Sequence, residues 1–115
     1  LRQQAGLTEL KAHTANNLGC VLRQQQAWAA AQQYHHQSIQ LFRQLSNALP
    51  LANAIGNLGK TCMAQGVYSA ALTHFAEAQQ LAAQFPDNAW ANSQLAEYHA
   101  KIAQIQEMKG LPAQC

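Results

Sequence analysis

Charge is scarce in this chain: Asp, Glu, Lys and Arg together make up 10% of its 115 residues, against about 25% in an ordinary soluble domain. The net charge of +2 is too small to point to nucleic acid or to an anionic membrane. The five acidic residues are widely spaced, and neither a Gly-rich phosphate loop nor a nucleophile elbow occurs. Among His13, His35, His36, His74 and His99, no two stand at i, i+3 or i, i+4, so no helical metal site is visible. These absences argue against an enzyme and imply no metal or cofactor. Cys20, Cys62 and Cys115 include no C-x-x-C pair, and an odd count argues against a complete disulfide framework; reduced thiols in a cytoplasmic setting are expected. No apolar run approaches the ~18 residues of a membrane span, and no basic segment leads into an apolar one. The first residue is Leu rather than Met, as in a fragment or an excised domain.

Proline and glycine are also few, at three and six residues. What fills the chain is 23 Ala and 18 Gln, which suit helices and do not favour strands. The expected fold class is all-α. Thr8 can cap a first helix, with Glu9 in its first turn. Leu10, Ala15, Leu18 and Leu22 give that helix an apolar stripe as far as Gln25. After a turn at Gln26-Ala27, a second helix runs from Trp28 to Leu45, with Ala31, Tyr34, Ser38, Leu41, Phe42 and Leu45 inward. Ser46-Asn47 breaks the pattern. A third helix starts at Pro50, which a first turn tolerates, and stops at Gln65-Gly66, where Gly supplies a left-handed cap. Its inward residues are Leu51, Ile55, Leu58 and Cys62. A fourth, from Tyr68 to Gln84, turns Ala71, Leu72, Phe75, Ala78, Leu81 and Phe85 to one side. Asp87 is placed to cap a last helix, whose stripe is Ala91, Leu95, Tyr98, Ile102 and Ile105. Glu97 and Lys101 form an i, i+4 pair on its far side, and Gly110-Leu111-Pro112 ends it after Met108.

A period of forty residues runs through this pattern. Asn17-Leu18-Gly19 recurs as Asn57-Leu58-Gly59, Trp28 as Tyr68, Ala30-Ala31 as Ala70-Ala71, and Ser38 as Ala78. Self-similarity at a fixed offset marks a repeat array, in which each unit buries its apolar face on the next. Gly19 and Gly59 fall mid-helix, where glycine costs ~1 kcal/mol relative to alanine. The expected return is close approach of the paired helix, with Ala31, Ala71, Ser38 and Ala78 as its small partners.

On Leu58-Gly59, Gly66, Tyr68, Ala71, Phe75 and Ala78 in one unit, the sequence resembles the tetratricopeptide repeat family. In the other unit the resemblance rests on Leu18-Gly19, Trp28, Ala31, Tyr34 and Ser38. The longer period, with Asn before Leu-Gly, is similar to the variant in kinesin light chains and Leu-Gly-Asn-type scaffolds. The resemblance implies a right-handed superhelical stack of antiparallel helix hairpins, an α-solenoid. Its expected parts are 1–7, the tail of a preceding repeat; 8–46 and 47–86, two repeats; 87–109, a partial repeat or capping helix; and 110–115, a tail. His35, where the other unit has Phe75, departs from the pattern, and His35-His36 is expected to straddle a helix surface.

In such a stack the first helix of each pair lines the inner surface. With Leu18, Leu22, Leu58 and Cys62 in the core, Asn16, Asn17, Cys20 and Arg23 are expected to face a groove. Asn53, Asn57, Lys60 and Met63 follow from the third helix, and Trp90, Gln94 and Glu97 from the last. Asn carries both a donor and an acceptor, so an Asn ladder can hold the backbone of an extended peptide; the resemblance assigns that contact to Asn17 and Asn57. The candidate peptide-binding residues are therefore Asn17, Asn57, Asn16, Asn53, Arg23, Lys60, Cys20 and Gln94. Arg23 and Lys60 favour an acidic partner. The family's clamp for chaperone C-terminal carboxylates is absent, since only Asn57 fits it, while Asn16, Cys20, Trp90 and Gln94 do not. What the resemblance implies is a protein-protein interaction module of a larger scaffold or signalling protein. The alternative is a structural or self-associating segment of a sensor or transcription regulator, with the apolar surface near Leu7 and Leu10 covered by an earlier repeat or by a second copy.

Overall fold

The computed structural model describes residues 2–108, with side chains from residue 5 onward. Its elements are α1 (Arg2–Gln24), α2 (Trp28–Gln44), α3 (Ala48–Gln65), α4 (Tyr68–Ala82) and α5 (Ala89–Met108), with no strand among the described residues. Each helix packs on the next, and α3 touches all four others. α2 contacts both α1 and α3, and α4 contacts both α3 and α5; the smallest dimension of the molecule is 18 Å. Ten of the 18 residues of α3 are buried as a result. The expected tail from Gly110 onward, with Cys115, lies outside the described residues.

The chain signals its helix ends in a repeated way. Gln26, Ser46 and Gly66 all take left-handed backbone angles, with φ of 63°, 53° and 91°. In each case the next amide reaches five residues back: Ala27 N–H to Leu22 O at 2.9 Å, Asn47 to Phe42 at 3.1 Å, and Val67 to Cys62 at 2.8 Å. That pattern satisfies carbonyls that the helix end leaves bare. Only Gly66 adopts the conformation without a Cβ penalty.

Three helix starts differ from expectation; α3 begins at Ala48, two residues ahead of Pro50. α1 passes unbroken through Gly6 and Thr8, because one glycine among good helix formers weakens a helix without ending it. The cap of α5 is Asn88 rather than Asp87: its Oδ1 accepts the Ala91 N–H at 2.9 Å. Asn88 stands immediately before the first helical residue, the position from which a side chain reaches the third amide.

The packing also corrects two readings. On α2, His35 and Ile39 are buried, and Tyr34 and Leu41 only half-buried, so the inward face is turned by about one residue. The mid-helix glycines meet rings of the facing helix more closely than its small residues. A Cβ on Gly19 would lie 2.6 Å from the His35 ring, and one on Gly59 would lie 2.9 Å from Phe75. Each glycine is a socket for a ring, at the same forty-residue offset. Gly56 forms a third socket, which takes the Tyr98 ring of α5. Around these rings sit Phe42, Ile55, Leu58 and Ile105, all buried. Leu18, by contrast, is 42% exposed, while its counterpart Leu58 is 1% exposed. α3 packs against α1, α2, α4 and α5, whereas α1 packs against α2 and α3 only among the described residues.

The turn geometry sets a test. Gln26→Gly relieves a left-handed side chain and is expected to stabilise the fold by about 1 kcal/mol, whereas Gly66→Ala costs about as much. Thermal melting reads these as opposite shifts of about 4–8 °C; shifts of the same sign would contradict the cap assignment.

Candidate functional site: the face of α1, α3 and α5

Positions 49, 50, 53, 57, 60, 63 and 64 recur every three or four residues along α3, so they share one side of that helix. α1 contributes His13, Cys20 and Arg23 beside them, and α5 contributes Trp90, Gln94, Glu97 and Lys101. The asparagines among these residues are not a free ladder.

Asn16 and Asn57 are buried, at 3% and 8% exposure. The Asn57 side-chain amide donates to Asn16 Oδ1 at 3.2 Å, and His35 Nδ1 lies 3.2 Å from the same oxygen. The Asn57 carbonyl accepts from Arg23 at 3.4 Å and from Thr61 at 3.1 Å. These bonds tie α1, α2 and α3 together at mid-height. Asn16 was expected to turn towards the groove; it turns into this network, because an unpaired buried amide is costly and its partners lie inward. Asn17 is exposed. In its counterpart's position Asn57 reaches Asn16 of α1, and among the described residues no helix stands in the same relation to Asn17. Cys20, Arg23, Asn53, Lys60, Met63 and Gln94 are half-buried on the face. Cys62 is buried in the core, which pushes its thiol pKa up.

His35 does not straddle a surface. It is fully buried beside Gly19, while His36 is exposed. Asn16 Oδ1 can only accept, so His35 carries its proton on Nδ1; Nε2 has no partner in the protein. Burial, reinforced by the Arg23 charge and by His36, lowers its pKa to about 4.

Two clefts open at the ends of the face. One, of about 280 Å³, is lined by His13, Leu49, Pro50, Asn53, Asn88 and Trp90. It is walled mostly by rings and aliphatic carbons, and His13 is steadied edge-on against Phe42 with ring centres 4.9 Å apart. The other, of about 380 Å³, is lined by Arg23, Lys60, Met63, Lys101, Gln104 and Met108, with Ala64 at its floor. Lys60 pairs with Glu97 at 2.9 Å, so Glu97 reaches across to α3 instead of along α5 to Lys101. Among the described residues, neither Arg23 nor Lys101 is in an ion pair.

Sequence reasoning named Trp90, Asn53, Arg23, Lys60 and Met63 but missed His13 and Lys101. The forty-residue offset from Asn53 would have found His13. Lys101 was set aside as the far side of its helix.

The buried histidine has a consequence for acid stability. Between pH 6.5 and about 4 the unfolded chain binds a proton at His35 that the folded chain refuses, so stability falls as pH falls. From pH 7 to pH 5 the loss is about 2 kcal/mol. The pKa of His74 is also lowered by burial and adds in the same direction. His35→Phe, which copies the other unit, is expected to remove most of this slope in urea melts at the two pH values. An unchanged slope would show that His35 is not the group responsible.

The tetratricopeptide repeat family model matches residues 10–84. No curated protein and no solved structure matches the chain. Repeats of this family mediate protein–protein contacts and are typically non-catalytic. With two ring-and-glycine hairpins in one forty-residue register and a family match over about two-thirds of its length, the chain belongs to the tetratricopeptide repeat family.

Proposed function

We propose that the chain is a non-enzymatic interaction module that holds an extended segment of a partner protein on the face of α1, α3 and α5. The observation that carries this is the pair of clefts on that face, each lined by side chains from all three first helices or their caps. The peptide-contacting set is Asn53, Arg23, Lys60, Cys20 and Gln94, with Asn17 at the open edge. Asn16 and Asn57 serve it from behind by fixing the spacing of α1 and α3. The forty-residue period and the Asn before Leu-Gly favour the kinesin light chain and Leu-Gly-Asn-like variant, with right-handed superhelical stacking. α5 keeps the register of a first helix, with Trp90 beside Pro50 and Lys101 beside Lys60, as a partial third repeat or cap would. No helix among the described residues is long and apolar enough to cross a membrane. A cytoplasmic scaffold or signalling protein is the setting that suits such a module.

A second reading, self-association, is favoured by one observation. Leu7, Leu10, Leu18 and Val21 are all exposed on α1, and among the described residues no helix buries them. An earlier repeat or a second copy would bury them.

The two readings separate by experiment. Peptides selected from a random unstructured library are expected to shift backbone amide resonances on α1, α3 and α5, and not those on the outer sides of α2 and α4. Shifts confined to those outer sides would overturn the proposal. A dimer that survives dilution in gel filtration and dissociates on Leu10→Glu with Leu18→Glu would instead establish the self-association reading.

A further inference from the structure

Resting on the peptide-binding reading, we propose that the face recognises its partner at two unlike points. One is a single large apolar side chain seated between Trp90, Pro50 and His13. The other is one or two carboxylates about five residues away in the partner, held between Arg23 and Lys101.

The apolar end follows from its walls. Leu49, Pro50 and Trp90 present carbon, and Trp90 is 38% exposed although it lies in a cleft. A large exposed ring in a concave site is the usual anchor point of an interface. The volume of about 280 Å³ holds one large side chain and little else. Among the described residues the Asn53 side chain has no hydrogen-bond partner, which leaves its amide for the backbone of the incoming segment. Asn88 Oδ1 is already engaged as the cap of α5, and the His13 ring rests edge-on against Phe42.

The cationic end follows from a charge count at the second cleft. Lys60 is neutralised by Glu97 at 2.9 Å. Arg23 gives one hydrogen bond to the Asn57 carbonyl at 3.4 Å and keeps its remaining donors. Lys101 is without a partner among the described residues and lines the same cleft. Two unneutralised cations facing one cleft attract carboxylates, and Met63 and Met108 beside them adapt to varied neighbours.

The spacing follows from α3, which lines both clefts. The middles of its two lining segments, 49–53 and 60–64, are about eleven residues apart, or about 16 Å at 1.5 Å per residue. An extended peptide covers that distance in about five residues. Neither cleft alone sets the chain direction of the partner, so both orders of anchor and acid are probed.

The test uses synthetic peptides with one Phe, a Gly/Ser spacer and two Glu, in both orders, titrated into the protein by calorimetry. With a spacer of about five residues, at least one order is expected to bind. Phe→Ala in the peptide should weaken it about tenfold or more, and Glu→Gln about threefold to tenfold at low salt, an effect that fades at high salt. Cutting the spacer to about two residues should cost as much as losing one end. Trp90→Ala should make the Phe and Ala peptides equal, and Arg23→Gln with Lys101→Gln should make the Glu and Gln peptides equal. Circular dichroism checks that both variants stay folded, and the peptide series on the wild-type chain stands without them. If library peptides map to the face while this series shows no dependence on Phe, Glu or spacing, the two-point proposal is wrong and the peptide-binding reading stands. If no peptide maps to the face, both fall.

Discussion

The two hairpins are held at their spacing by a ring pressed onto a residue that has no side chain. His35 lies on Gly19, Phe75 on Gly59, and Tyr98 on Gly56. Each glycine forgoes about 1 kcal/mol of helix propensity, and each ring fills the room that a Cβ would take. Because α3 carries two sockets, one towards α4 and one towards α5, it fixes both neighbours at once. That is why α3 is the most buried helix, and why α5 is held against both α3 and α4.

The same constraint shapes the face. When α1 and α3 are drawn together through α2, Asn16 and Asn57 come into bonding distance and are enclosed. Their amides then orient the helices and are no longer offered to a ligand at mid-height. What remains open are the two clefts, with rings and proline at one and cations and methionines at the other. A face closed in the middle and open at both ends suits a segment that is gripped at two points.

Much of this was legible in the residues. The forty-residue offset and the positions of Gly66, Pro50 and Trp28 place five helices and their turns, because apolar period and backbone chemistry act locally. Three things were not legible, each for a physical reason. Gln26 and Ser46 take the left-handed cap that glycine prefers, and tertiary packing overrode their preference. Tyr34 and His35 compete for one inward position, and periodicity does not choose between neighbours one residue apart; the empty volume over Gly19 decides for His35. Asn57 reads as an exposed amide by its polarity alone. Whether an amide faces solvent or another amide depends on a helix forty residues away, and for Asn57 that helix is α1, which supplies Asn16.

The most direct measure of the ring-and-socket account is a double-mutant cycle on Gly59 and Phe75, followed by urea unfolding. The account predicts that Gly59→Ala costs about 1–3 kcal/mol when Phe75 is present. In a Phe75→Leu background the same change should become neutral or stabilising by up to about 1 kcal/mol, as helix propensity takes over. An equal cost in both backgrounds would mean that the ring does not set the spacing of the hairpin, and would contradict the account.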